Sequence, residues 1–246
     1  MKRILLSVCA LLALGAPSVR AAAGVNLAWG AGCWTDNPVS AKTFACNTNT
    51  GSAPMTASFV TTTDQPDFVG VESVVDLQVD AAVLPDWWQF FNAAVCRQTA
   101  LSTSADFTTA PGGCTDPWAG LAAGGIAGYQ TNTTSPPNPN PLPSRARLKV
   151  GYAIAAPSPL TAGVQYYGYR ATVSYMKSIG TGFCPGCATP ATIVLNEIKA
   201  AEFTGPFERI TDPLTNRCLI WNTSTVPCAD VPTRDITWGQ IKSLYR

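Results

Sequence analysis

The 246-residue sequence contains no histidine. That absence removes the side chain most often used as a general base or metal ligand near neutral pH, so no Ser-His-Asp or Cys-His arrangement can be built. Charge is also scarce: Asp, Glu, Lys and Arg make up 13% of the residues, with 16 basic against 15 acidic. A chain without a basic excess offers no electrostatic footprint for nucleic acid or an anionic membrane. No apolar window beyond the N-terminus reaches the ~20 residues a membrane-spanning helix needs, so no membrane insertion is expected. The glycine-rich run 120–128 lacks a Gly-Lys-Ser/Thr ending and is not a phosphate loop.

What is present begins with Lys2 and Arg3, an apolar run over 4–16, and the small residues Ala21, Ala22 and Ala23. This is the pattern of a secretory signal, so residues 1–23 are set aside as a signal peptide and 24–246 are expected to be the mature chain. Losing Lys2, Arg3 and Arg20 leaves 13 of the 16 basic residues against 15 acidic ones, a net charge near −2. Cys33, Cys46, Cys96, Cys114, Cys184, Cys187, Cys218 and Cys228 remain, and an even set in an exported chain reads as disulfides. Their spacing favours neighbours: Cys33–Cys46, Cys96–Cys114, Cys184–Cys187 and Cys218–Cys228, each closing a local loop. The Cys184-Pro185-Gly186-Cys187 run also has the spacing of a dithiol redox motif, but the residues after it read as a strand rather than the helix that would stabilise a thiolate. A structural disulfide is the reading taken; redox chemistry and a metal knuckle with Cys218 and Cys228 are the alternatives.

Period-two alternation dominates the mature chain. Over 164–179, Tyr167, Tyr169, Ala171, Val173, Tyr175 and Ile179 share one parity while Arg170, Thr172 and Ser174 take the other, as in a half-buried strand. Residues 192–199 form a more apolar strand, expected to pair antiparallel with 164–179. Further strands are expected at 25–29, 43–46, 56–63, 68–79, 99–107, 145–154, 207–210 and 218–221. Residues 112–130 have loop composition. The stretch 135–144 holds five prolines in ten residues and reads as an extended polyproline II loop across the sandwich or a linker. Neither half alone carries a full set of strands, so one domain over 24–246 is expected. Thr237 and Gln240 fit a capping box, and Trp238, Ile241 and Tyr245 share a helical face, which predicts a short C-terminal helix. The fold expected is an all-β, antiparallel Greek-key sandwich of about nine strands with disulfide-stapled loops.

For a site, the densest aromatic run is Trp87, Trp88, Phe90 and Phe91. A plug over the core is the reading taken for most of these rings; because adjacent tryptophans on a strand point to opposite faces, the alternative is that one ring is exposed and able to stack on a sugar or anchor a partner. Trp118, in the glycine-rich stretch, is the third binding candidate. Glycoside hydrolysis by two carboxylates is the one common hydrolytic chemistry that needs neither histidine nor metal. Glu197 and Glu202 are five apart, on opposite faces of a regular strand, and Asp64/Asp67, Asp76/Asp80 and Asp212/Asp230 read as surface charge. No catalytic residue, metal or cofactor is expected. The function expected is a secreted, non-catalytic module binding extracellular polysaccharide or a cell-surface protein. The alternatives are a self-assembling subunit of a filament or coat, and a carboxylate-dependent carbohydrate hydrolase.

Several runs carry a resemblance: 24–29 with Cys33, 44–52, Leu84-Pro85-Asp86-Trp87-Trp88-Gln89-Phe90, 180–187, 193–196 and 237–246. Through these the chain resembles a group of uncharacterised secreted proteins of environmental bacteria. The rhythm of 73–90 and 164–202 is similar to cohesin-like and carbohydrate-binding Greek-key sandwiches, which implies that fold. The cysteine couples depart from the cohesin pattern, and no functional residue is carried over.

Overall fold

Alternating apolar residues form two facing sheets because a strand buries only every second side chain, and two such faces cover each other. The computed structural model describes residues 22–36, 38–131 and 142–228. The signal peptide, apart from Ala22 and Ala23, most of the proline-rich stretch and the C-terminal helix expected over 237–246 lie outside the described residues.

The strands are β1 (Gly24–Trp29), β2 (Ala41–Lys42), β3 (Ser52–Val60), β4 (Gln65–Val79), β5 (Leu101–Ser104) and β6 (Ala123–Thr131). They continue with β7 (Arg145–Leu160), β8 (Gln165–Ser174), β9 (Ala191–Glu202), β10 (Glu208–Ile210) and β11 (Cys218–Trp221). One sheet runs β1-β3-β8-β5; the other runs β2-β11-β9-β4-β7-β6, with β10 added beside β9. All named pairs are antiparallel except β2 with β11. Between the sheets lie Ala53, Met55, Ala57 and Phe59 of β3, Val71, Val75 and Leu77 of β4, Leu148 and Val150 of β7, and Ile193, Leu195 and Ile198 of β9.

Several expectations are corrected. Strands β8 and β9 are not neighbours: β8 pairs with β3 and β5, and β9 with β4, β10 and β11, so they face each other in different sheets. The physical reason is the connection over 175–190, which is long enough to cross between the sheets instead of turning back as a hairpin. The glycine-rich 112–130 contains β6, whose Gly124 lets β7 come close; a Cβ there would lie 2.1 Å from the Gly151 carbonyl oxygen. The short strand expected at 43–46 is instead Ala41–Lys42.

Two bulges break the simple parity. The β3/β8 register shifts between Ala57 and Ser58, leaving Gly168 as an extra residue. Tyr169 therefore faces the core, its hydroxyl 2.9 Å from the Ser73 hydroxyl across the sandwich. Tyr167 is turned to the other face, stacked on Phe107 with ring centroids 4.2 Å apart. A second shift, between Val74 and Val75 against β9, leaves Asn196 as the extra residue. It donates to the Asp76 carboxylate at 2.8 Å, where Arg147 also binds through Nε and Nη2 at 2.7 and 2.6 Å. A buried carboxylate held by a bidentate guanidinium fixes the register of β4, β7 and β9 on the side away from the core.

Candidate functional site

The three predicted tryptophans are brought inside. Trp87 and Trp88 are 0% exposed and Trp118 is 1% exposed. The rings plug the core, and the alternative of one exposed ring fails because residues 86–88 form a 3-10 turn and not a strand. At three residues per turn, neighbouring side chains diverge by about 120° and both rings can turn inward. Trp87 and Trp88 pack edge to face at 4.8 Å, and each lies against Trp221, at 5.4 and 5.6 Å. Their indole N–H groups donate to the Ser178 hydroxyl at 3.0 Å and the Thr189 carbonyl at 3.4 Å. Trp118 sits elsewhere, near Phe68, and donates to the carbonyls of Tyr167 and Gly168, which the bulge frees. None of these rings offers a face to a ligand.

Around the tryptophan cluster, the loops that cap one end of the sandwich are tied together. The disulfides are Cys33–Cys114, Cys46–Cys187, Cys96–Cys184 and Cys218–Cys228. Only the last matches the neighbour pairing expected from spacing. The other six cysteines pair across loops because tertiary packing, and not contour length, brings their backbones to bonding distance. Cys46–Cys187 and Cys96–Cys184 join the loops 43–51, 81–98 and 175–190 into one cap.

Arg97 completes the cap from beneath. Its guanidinium lies over the Trp87 ring at 3.7 Å and donates to the carbonyls of Trp87 at 2.6 Å, Met176 at 3.1 Å, and Ser174. Burial lowers its pKa. Three carbonyl dipoles and two aromatic faces replace the carboxylate that usually neutralises a buried arginine. No pattern of residue types announces this, since the arginine is recruited by backbone carbonyls.

On the outside of the same cap, apolar side chains face water: Val83 is 62% exposed and Phe183 54% exposed, with Phe91, Leu142 and Ile179 also exposed. The chain holds them by backbone bonds, Leu84 N–H to the Pro143 carbonyl at 2.8 Å and Trp87 N–H to the Pro185 carbonyl at 2.9 Å, and by Asn49, whose side-chain Oδ1 accepts from the Ser178 and Ile179 N–H groups. Gly186 is required at the crossing: at φ 104° a Cβ would fall 2.2 Å from the Pro85 side chain. Phe91 stands at φ 63°, a conformation disfavoured for a bulky residue, and its N–H is held by the Gln98 carbonyl at 2.9 Å.

The carboxylate pairs are engaged separately. Asp64 receives Ala162 N–H at 2.8 Å, Asp67 receives Thr204 N–H at 3.1 Å, and Asp80 binds Ser224 and Thr225. Glu197 is bonded to Arg209 at 2.6 Å, while Glu202 pairs in register with Phe68 at the far end of β9. Burial and the neighbouring Asp67 push the Glu202 carboxyl above its ordinary value. Asp230 lies outside the described residues. Among the described residues, no group of three or more Cys, Asp or Glu is placed to hold a metal ion, and the cavity between the sheets, lined by Met55, Leu77, Phe90 and Tyr129 among others, holds about 20 Å³, too little for an organic ligand.

No family model matches the chain, and no curated protein matches it. Among solved structures, a protein of Corynebacterium diphtheriae described as membrane-anchored is similar at 8% identity and a TM-score of 0.28, over 90% of this chain and 40% of that one. A GH20 exo β-N-acetylglucosaminidase from Vibrio harveyi, in complex with N-acetylglucosamine, is similar at 12% identity and a TM-score of 0.24, over 86% of this chain and 20% of that one. At those scores neither likeness carries an argument about fold or activity.

Proposed function

We propose that the chain is a secreted, non-catalytic module that docks a protein partner on its disulfide-bridged cap. The observation that carries this reading is the exposure of Val83 and Phe183 on loops held by two inter-loop disulfides. Apolar side chains kept in water by constrained loops lose little conformational entropy on docking, so their burial converts into affinity with little offset. Export is supported by the signal-like N-terminus and by disulfides that persist in an oxidising compartment.

Of the two ligand classes expected from sequence, a protein is favoured over a polysaccharide. The cap's tryptophans, which would stack on sugar rings, are buried, and the exposed side chains are a mixed apolar set, Val83, Leu142 and Ile179 beside Phe91 and Phe183, which suits a protein surface. The filament alternative draws less support, because the outer edge of β1 is already bonded: Val25 donates to Asp212, Leu27 to Asn216, and Leu214 to Val25. The test is retention of a protein from native cell envelope by the immobilised mature chain. Val83→Asp combined with Phe183→Asp is expected to abolish it while leaving the unfolding midpoint in place. Equal retention by the variant, or a positive glycan array with no protein retained, overturns the reading.

A further inference from the structure

Cys184 and Cys187 are separated only by Pro185 and Gly186, yet each is bonded to a different loop, Cys184 to Cys96 and Cys187 to Cys46. One four-residue turn therefore carries one sulfur of each bridge that holds the cap together. The burial of the bridges is uneven: Cys184 and Cys187 are buried, whereas Cys46 and Cys96 are half-buried. An external thiolate meets Cys46 or Cys96 first, and in either case the sulfur it expels belongs to the turn. Charge favours attack at Cys96. Lys177 places its ammonium 2.7 Å from the Cys96 carbonyl oxygen, the Cys184 N–H donates to the Lys177 carbonyl at 2.9 Å, and Arg97 follows directly in sequence. Lys177 is thereby bonded to both halves of the Cys96–Cys184 bridge, and its ammonium is the cation placed at the Cys96 backbone, where an incoming thiolate arrives.

We propose that these two bridges form a thiol-triggered release, in which the Cys184–Cys187 turn closes on itself and lets go of both neighbouring loops. A thiolate of a dithiol reductant attacks Sγ of Cys96, forming a mixed disulfide and expelling the Cys184 thiolate. That thiolate attacks Sγ of Cys187, forming Cys184–Cys187, breaking the bond to Cys46 and expelling the Cys46 thiolate, which takes a proton from water. The second thiol of the reductant resolves the mixed disulfide, freeing Cys96 as a thiol and leaving the reductant as a disulfide. Two electrons and two protons pass from the dithiol to the protein, and two bridges become one. Attack at Cys46 gives the same product in mirror order. Gly186, already at φ 104°, allows the reversal that brings the two ends of the turn together.

Loops 43–51 and 81–98 then lose their covalent ties to 175–190, and the surface bearing Val83 and Phe183 comes apart. The exchange chemistry stands without any partner; only its consequence for docking rests on the proposed binding role. The test treats the oxidised mature protein, with no partner present, with limiting dithiothreitol, alkylates free thiols, and maps the peptides. The expected result is alkylation of Cys46 and Cys96, a Cys184–Cys187 bond within one peptide, and intact Cys33–Cys114 and Cys218–Cys228. Amide exchange over 81–98 is expected to rise at least tenfold in that product. Alkylated Cys184 with Cys46–Cys187 still intact, or reduction of all bridges only together, overturns the proposal. In a Cys46→Ser/Cys187→Ser variant, alkylation of Cys184 itself is the expected result, and protection of Cys184 there would also count against the relay.

Discussion

The two ends of the sandwich are ordered by different means. At the cap, the connections over 30–51, 80–100 and 175–190 are long, and they are held by cross-loop disulfides, a tryptophan cluster and a buried guanidinium. At the opposite end the connections over 61–64, 161–164 and 203–207 are short, and single polar side chains suffice for them, whereas the long 105–122 connection, which meets the start of β8 through Thr115 and Gln165, again carries a disulfide, Cys33–Cys114. Glu208 accepts from the Thr62 N–H and hydroxyl, both at 2.7 Å, and from Gln65 at 3.1 Å; Asp64 and Asp67 cap the other two turns. A long loop surrenders more conformational entropy on ordering than one carboxylate can offset, so the cap draws on covalent bonds and large buried rings. The short turns need only their exposed N–H groups satisfied.

Removing a cap bridge is expected to have the largest effect. Cys46 and Cys187 lie 141 residues apart, and in the chain-entropy account losing such a bridge costs about 5 kcal/mol. A Cys46→Ala/Cys187→Ala variant should show this in denaturant unfolding followed by tryptophan fluorescence. A shift no larger than that of Cys218→Ala/Cys228→Ala, whose separation is 10, would remove the dependence on loop length from which this expectation comes. Trp87→Ala should follow at about 4 kcal/mol, since it leaves a large void beside Trp88 and Trp221 and removes the ring under Arg97.

At the other end Glu208→Ala is expected to cost about 2 kcal/mol, the penalty for leaving the Thr62 and buried Gln65 donors unpaired, measured by the same unfolding curves. Acid should act on Glu202 and Asp80 with opposite sign. Glu202 has its pKa raised above 4.5 by burial and by Asp67, so as pH falls towards 4.5 the folded state takes up a proton first and gains stability. Asp80, near the cap, keeps a pKa below 3.8: its small burial opposes this, and the bonds from Ser224 and Thr225 outweigh it. Its contribution is complete above 3.8 and is lost as pH falls below that value. Amide exchange at Thr225 should therefore accelerate below that pH in wild type, and Asp80→Asn should remove the dependence. The smallest stability effect belongs to Phe183→Ser, expected within about 0.5 kcal/mol because the ring is exposed. That variant separates what the cap does from what holds it.

Much of the strand content was legible because a half-buried strand writes its period into the chain. Cys218–Leu219–Ile220–Trp221 and the β4 run Val75, Leu77, Val79 were found in this way. Strand β6 was missed because its glycines, which serve close approach to β7, look like loop composition. The candidate site was hardly legible. Trp87 and Trp88 were singled out but placed on a strand, and the 3-10 turn reverses the conclusion that parity gave for one ring. Val83 and Phe183 carried no signal, since an exposed apolar residue in a loop looks like any other until its surroundings are known.

The sequence by itself determined that no histidine chemistry is available, that the chain builds antiparallel strands, and that its cysteines are bridged. Each follows from residue type or short-range period, which depend on nothing distant. Only the tertiary structure decided which sheet each strand joins, which cysteines meet and which rings are covered. Those depend on bulges at Gly168 and Asn196, where one added residue turns every later side chain to the other face, and on the crossing over 175–190, which sends β8 and β9 to opposite sheets.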